Sequence, residues 1–205
     1  ERNIPLLLEE LELDPTEPMT YLQLVEAYNS VDKEKSFYYC EKGMEICRQQ
    51  AHYSGHMILF HKAELFALEG KFEEALGVID EHDEFKKLDG IEKVVGMDLD
   101  FLYLKATLLL NLERTAEAIP VFREYSEFYK DFRLKGKHHT ADTMLGAMKY
   151  ATPDSLADAM VNAVRCCLKE KKLNTALDFL SAVPIGEKLS DNNFMSVYIK
   201  CLIIV

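Results

Sequence analysis

From Leu7 to Leu180 the apolar residues recur at steps of three and four: Leu7, Leu8 and Leu11; Leu22, Val25 and Tyr28; Phe60, Ala63, Phe66 and Ala67; Leu102, Ala106, Leu109 and Leu110. That period places them on one side of a helix, whereas a half-buried strand needs a period of two. No run of β-branched residues alternates with polar ones, and Asp89-Gly90 follows the charged Lys86-Lys87 pair and not a strand. The spacing confines the chain to an all-α fold.

Helix punctuation divides the pattern. Asn3 is able to cap a helix over 3–13 whose early Pro5 falls where the N–H groups lack partners anyway, and Leu13-Asp14-Pro15 closes it. Pro18 opens a helix over 18–29, and helices over 33–49, 53–69 and 72–84 follow, with Gly70 at one break. Residues 86–96 read as a loop or a frayed helix end. Further helices are predicted over 98–112, 115–130, 139–150, 153–171 and 174–182. Val183-Pro184-Ile185-Gly186 breaks the chain before a last helix from 191. About ten helices with short turns predict antiparallel pairs in series.

Composition excludes several classes of function. Lys and Arg number 24 against 35 Asp and Glu, a net charge of −11. Such a chain lacks the clustered cations that neutralise phosphates, so no nucleic acid is expected as a partner. No apolar stretch approaches the roughly 18 residues of a membrane span, and the first residues do not form a signal peptide. The five cysteines, Cys40, Cys47, Cys166, Cys167 and Cys201, form no CxxC and read as reduced thiols of a cytoplasmic protein. Of the vicinal pair Cys166-Cys167, one is expected in the core and one as a bystander. Glu1 in place of Met, and the apolar stop at Ile203-Ile204-Val205, read as a piece of a longer chain.

The helices repeat. Ala63-x-x-Phe66-x-x-x-Gly70-x-Phe72-x-x-Ala75-x-x-x-Ile79 is echoed by Ala106-x-x-Leu109 with Ala118-x-x-x-Phe122. It is echoed again by Val164-x-x-Cys167 with Leu173-x-x-Ala176-x-x-x-Leu180, and by Leu24-x-x-x-Tyr28 with Ser36-x-x-x-Cys40-x-x-Gly43. Small residues fall where two helices of a pair cross closely, and large ones where they wedge between pairs. Most of the aromatics, Tyr38, Tyr39, Tyr125, Phe128, Tyr129 and Phe132 among them, are expected to be such wedges in a chain without Trp.

These spacings resemble the tetratricopeptide repeat (TPR). Leu68-Glu69-Gly70-Lys71-Phe72-Glu73-Glu74-Ala75-Leu76 is similar to its turn and second helix, and Leu11 to Pro15 with Pro18 and Tyr21-Leu22-Gln23-Leu24 to a repeat junction. The match is degenerate. Ser36, Ala75, Ala118 and Ala176 lie 39, 43 and 58 residues apart, against a family period of about 34. The last gap leaves room for the additional helix near 139–150. The resemblance implies one domain over 1–205, a right-handed α-α superhelix. Its pairs lie near 18–49, 53–84, 98–130 and 153–182, with extra helices near 3–13, 139–150 and 191–205.

It also implies a concave face built from the first helix of each pair. That face would carry Met19, Leu22, Glu26 and Asn29; then Met57, Phe60 and Glu64; then Tyr103 and Thr107; then Val161 and Arg165. Leu22, Phe60 and Val161 could equally be packed core. Members of the family that clamp acidic chaperone tails place Lys and Asn where this chain has Glu26 and Glu64, so that ligand is not expected. A protein or peptide, or an upstream domain of the same chain, is the expected partner, with no cofactor.

A second resemblance links Arg2-Asn3-Ile4-Pro5-Leu6-Leu7 through Asp14-Pro15, and Tyr38 to Gly43, to the segment that follows the catalytic domain in bacterial family 2 glycosyltransferases with C-terminal TPRs. It implies a non-catalytic fragment of such an enzyme; the alternative is a fragment with its own role in glycosyl transfer.

The residues themselves offer no catalytic constellation. Asp98-Leu99-Asp100 has the form of a metal and diphosphate motif but precedes an apolar helical run, so it reads as a helix start, where carboxylates favour the positive end of the dipole. His52 and His56 lie four apart with Gly55 between them and no third ligand within a turn, and read as a surface helix start. His138-His139 point apart on a helix, and Asp80, Glu81, Asp83 and Glu84 read as a solvated helix end.

Overall fold

The computed structural model describes residues 3–91, 94–134 and 149–182. Among them there is no strand, and the helices are α1 (Ile4–Leu13), α2 (Pro18–Asn29), α3 (Lys33–Gln50), α4 (Ser54–Leu68), α5 (Phe72–Phe85), α6 (Val95–Asn111), α7 (Thr115–Leu134), α8 (Pro153–Lys169) and α9 (Leu173–Ala182). The all-α helix-pair reading holds. The predicted helices over 139–148 and from 191 lie outside the described residues, while Lys149 and Tyr150 form a bend and not the end of a helix. The expected loop over 86–96 is shorter, because α6 already starts at Val95.

The chain forms two compact units, 1–94 and 95–205. In the first, α2 packs on α3 and α4 on α5, with α3 against α4, α2 against α4 and α1 on α2. In the second, α6 packs on α7, α7 on α8 and α8 on α9. Within each unit, helices adjacent in sequence pack on one another.

The repeat is legible in the turns. Gly70, Glu113 and Lys171 all take the left-handed conformation, at φ 73°, 59° and 56°. Each is followed by the same helix-closing bond: the Lys71 N–H donates to Phe66 O at 2.9 Å, Arg114 to Leu109 O at 2.9 Å and Lys172 to Cys167 O at 2.8 Å. This is the Schellman closure, in which a residue just past the helix satisfies a carbonyl of its last turn. Only Gly70 is free of a Cβ penalty there. The intervals match those between Ala75, Ala118 and Ala176, so register and turn agree.

The small positions lie where they were expected. Ser36, Ala63, Ala75, Ala106, Ala118 and Ala176 have no exposed surface. The Ser36 hydroxyl donates to Val25 O at 3.0 Å, joining the two helices of the first pair. Gly43 marks another close approach: a Cβ there would lie 2.8 Å from both Ile58 Cδ1 and Tyr21 Cβ, so at this residue α3 leaves no room for a side chain against α2 and α4. Overfilling these contacts forces backbone shifts. Ala75→Leu and Ala118→Leu are each expected to cost about 1–3 kcal/mol, read as a lower thermal midpoint. An unchanged midpoint in both variants would mean that the register is misplaced.

Two further expectations are corrected. Cys166 and Cys167 are both buried, at 1% and 0% exposure, because α8 packs on α7 and on α9 from two sides and leaves adjacent positions no solvent face. Tyr125, Tyr129 and Phe132 are core wedges, but Tyr38 is 56% exposed and lies edge-on to Tyr39.

Candidate interaction face

In the first unit the face is built from α2 and α4, the first helices of two pairs. Pro18 at the first position of α2 and the Glu17 side chain, which accepts from the Met19 N–H at 3.0 Å, fix its start. Tyr21 donates to Pro15 O at 2.8 Å and Gln50 to Thr16 O at 2.6 Å, which ties down the preceding loop. Met19 and Met57 are half-buried, and the Tyr53 hydroxyl reaches Met19 Sδ at 3.7 Å. Leu22 and Phe60, expected on the face, are 3% and 4% exposed and form its packed floor. Asn29 is half-buried and Glu26 exposed.

A residue the sequence reading did not place there lies at the centre. His61 sits between the two glutamates, its Nε2 3.4 Å from Glu26 Oε1 and its Nδ1 4.0 Å from Glu64 Oε2. The Nδ1 atom is shut off from solvent and makes no hydrogen bond among the described residues. The signal was available: His61 lies three residues before Glu64, one helical turn away. Its approach to Glu26 needs the packing of α4 on α2.

Lys62 is the one Lys or Arg on these two helices, and it turns to the other side of α4. Its ammonium lies 2.7 Å from Glu41 and 3.1 Å from Glu81, and Glu81 also pairs with Arg48. Burial penalises the Lys62 charge, but the two carboxylates outweigh it and hold its pKa above the ordinary lysine value. Glu81 therefore belongs to an ion cluster joining α3, α4 and α5, not to the solvated end expected for residues 80–84.

In the second unit the expected residues fall on α6 and α8. Tyr103 donates to Asp158 Oδ2 at 2.6 Å, Asn162 to the same oxygen at 3.0 Å, and Arg165 to Asn162 Oδ1 at 3.2 Å. Burial, then Asp158, pushes the Tyr103 phenol far above its usual range, so it stays a donor. Its ring stacks on Tyr150 at 4.1 Å. Val161 is buried at 2%, and the Thr107 hydroxyl is turned back to the Tyr103 and Leu104 carbonyls. Asp158, Asn162 and Tyr150 had no motif to announce them.

Asp98 lies in the first turn of α6, as expected, but Asp100 does not act as a helix-start charge. It is fully buried and accepts the backbone N–H groups of Lys149 at 3.0 Å and Tyr150 at 2.7 Å, which fixes the segment that carries Tyr150. The Asp-x-Asp pair is thus split between a helix start and a buried clamp. The described residues contain no group of three His, Cys, Asp or Glu side chains able to hold a metal. His56, expected on the surface, is 2% exposed and hydrogen-bonded to His82 at 2.9 Å. The reason is that α4 begins at Ser54, which turns its third residue toward α5.

No protein-family profile matches the chain, and no curated protein matches it. Among solved structures, that of YrrB, described as a TPR protein with an unusual peptide-binding site, is similar at 17% identity. The match covers 94% of this chain and 97% of that one, with a TM-score of 0.47. The TPR-like character of the pairs rests on their own buried small residues and matched turns. No helix among the described residues is long and apolar enough to cross a membrane.

Proposed function

We propose that this chain is a non-catalytic protein-interaction domain that binds a protein or peptide segment on the faces formed by the first helices of its pairs. One observation carries the reading: of the expected face residues on α2 and α4, those that remain exposed or half-buried are adaptable or polar ones, Met19, Glu26, Asn29, Met57 and Glu64, over a packed floor of Leu22 and Phe60. In the second unit Tyr103 and Arg165 take the same role, with Val161 behind them. Buried, unpaired thiols at Cys40, Cys47, Cys166 and Cys167 support a reducing, cytoplasmic setting. The resemblance of residues 2–15 to a glycosyltransferase segment supports a catalytic domain of the same protein as the partner, and that link rests on the resemblance alone.

A library of randomised peptides panned on the 205-residue chain tests the reading. Binders are expected, and Met19→Asp with Met57→Asp should abolish their binding while the helical circular dichroism is kept. A library that yields no binder, or turnover of a nucleotide sugar by this chain, would sink it.

A further inference from the structure

The first helix of the chain presents a second surface, apart from the α2–α4 face. In the first unit α2 pairs with α3 and α4 with α5, while α1 packs on α2. Through that contact Leu7 joins Leu24 and Tyr28, with Ile4, Leu8 and Leu11 half-buried around them. Ile4, Leu7, Leu8 and Leu11 follow the i, i+3, i+4, i+7 order of one helix face. Leu6, Glu9, Glu10 and Leu13 repeat that order two residues on, about 200° around the helix, and so form the opposite face.

That face is open. Leu6 is 59% exposed and Leu13 88%, and Glu9 and Glu10 between them are exposed. A single exposed leucine is ordinary, but two on one face of a short helix form a patch. The side chains of Glu9, Glu10 and Glu12 make no ion pair or hydrogen bond among the described residues. Neither α1 nor α2 carries a Lys or Arg to answer them, whereas Glu45, Glu69 and Glu117 each meet a Lys or Arg within 4 Å. The face is an apolar pair around an acidic centre, on a chain of net charge −11.

Charge decides what can cover it. A second copy would bring the same glutamates, and like charges brought together are penalised. A helix repeats its faces at the same seven-residue spacing, about 10.5 Å along its axis. A Lys or Arg three or four positions after the first apolar residue then falls between the two.

We propose that the outer face of α1 docks a basic amphipathic helix of a partner protein. Apolar residues seven apart cover Leu6 and Leu13, and Lys or Arg side chains between them pair with Glu9 and Glu10. The leucines supply affinity, and the carboxylates select the charge and set the orientation.

Titration of the 205-residue chain with two synthetic peptides tests this. One is a leucine–lysine amphipathic peptide of about 18 residues, long enough to hold a helix. The other has Glu in place of every Lys. The lysine peptide is expected to bind, and the glutamate peptide to bind about tenfold more weakly or not at all. Leu6→Gln with Leu13→Gln keeps good helix formers at exposed positions. The circular dichroism should therefore hold while binding of the lysine peptide falls about tenfold. Glu9→Gln with Glu10→Gln should weaken it by about the same factor, and 1 M salt should erase that factor, because the screening length falls to about 3 Å. Lysine-peptide binding that survives the leucine variant would place the contact elsewhere on the acidic surface and overturn the proposal. So would equal binding of the two peptides, no binding, or a dimer of the parent chain that the leucine variant dissociates.

Discussion

Gly55→Ala is expected to destabilise the protein on the order of 1–3 kcal/mol, although alanine is the better helix former by roughly 1 kcal/mol. Gly55 is the second residue of α4, and the ring of Phe85, the last residue of α5, lies against it. A Cβ there would overlap Cζ of that ring and lie 2.9 Å from Cε1. The ring has little room to retreat, since it is 2% exposed and edge-on to His56 at 5.1 Å. Phe85→Ala alone should cost about 3–5 kcal/mol through lost contact and the cavity left behind. In the Phe85→Ala background, however, Gly55→Ala has nothing to strike, and its effect should turn neutral or favourable. Chemical denaturation of the two single variants and the double variant reads the coupling directly. A Gly55→Ala protein more stable than the parent would refute the contact.

The second large effect is on pH. His56 Nδ1 and His82 Nε2 are 2.9 Å apart at 2% and 1% exposure, and a bond between two ring nitrogens needs one of them as acceptor. Burial first, then the neighbouring His56 and Lys86, drives the His82 pKa down to about 2 from its ordinary 6.5. Below pH 6.5 the unfolded chain therefore binds a proton that the folded chain refuses, and stability falls as pH falls through that window. The loss reaches about 2 kcal/mol at pH 5 relative to neutral pH. Glu69 and Glu117, whose pKa values are lowered by Lys71 and Arg114, lose their pairs only at more acid pH, so the window from 6.5 to 5 isolates histidine. Denaturant midpoints at neutral pH and pH 5 should differ accordingly, and His82→Phe should flatten the difference. Equal midpoints in the parent protein would show that the pair is not held neutral.

The corrections share a cause. Local signals, the step of three and four, the prolines at helix starts and the small residues at pair crossings, are written in contiguous residues, and for α1 to α9 the helix bounds they predict agree with the structure to within a few residues. The residues misjudged were those whose surroundings come from another helix. His56 looked like a surface residue because its partner His82 is 26 residues away. Asp100 looked like a helix-start charge because the N–H groups it holds belong to residues 149 and 150.

The candidate face divides in the same way. Glu26 and Glu64 could be placed on the first helices of their pairs from register alone, because a helix repeats its faces every three or four residues whatever it packs against. By itself the sequence therefore determined that the chain is helical, where its pairs turn and which side of each helix is apolar. Tertiary packing decided which charges meet. It brought His61 to Glu26, sent Lys62 away to Glu41 and Glu81, and joined Tyr103 to Asp158 across 55 residues. Electrostatic and hydrogen-bond energies fall off within a few ångströms, and such distances between helices are set by how side chains interlock at each crossing, which no period in the sequence encodes.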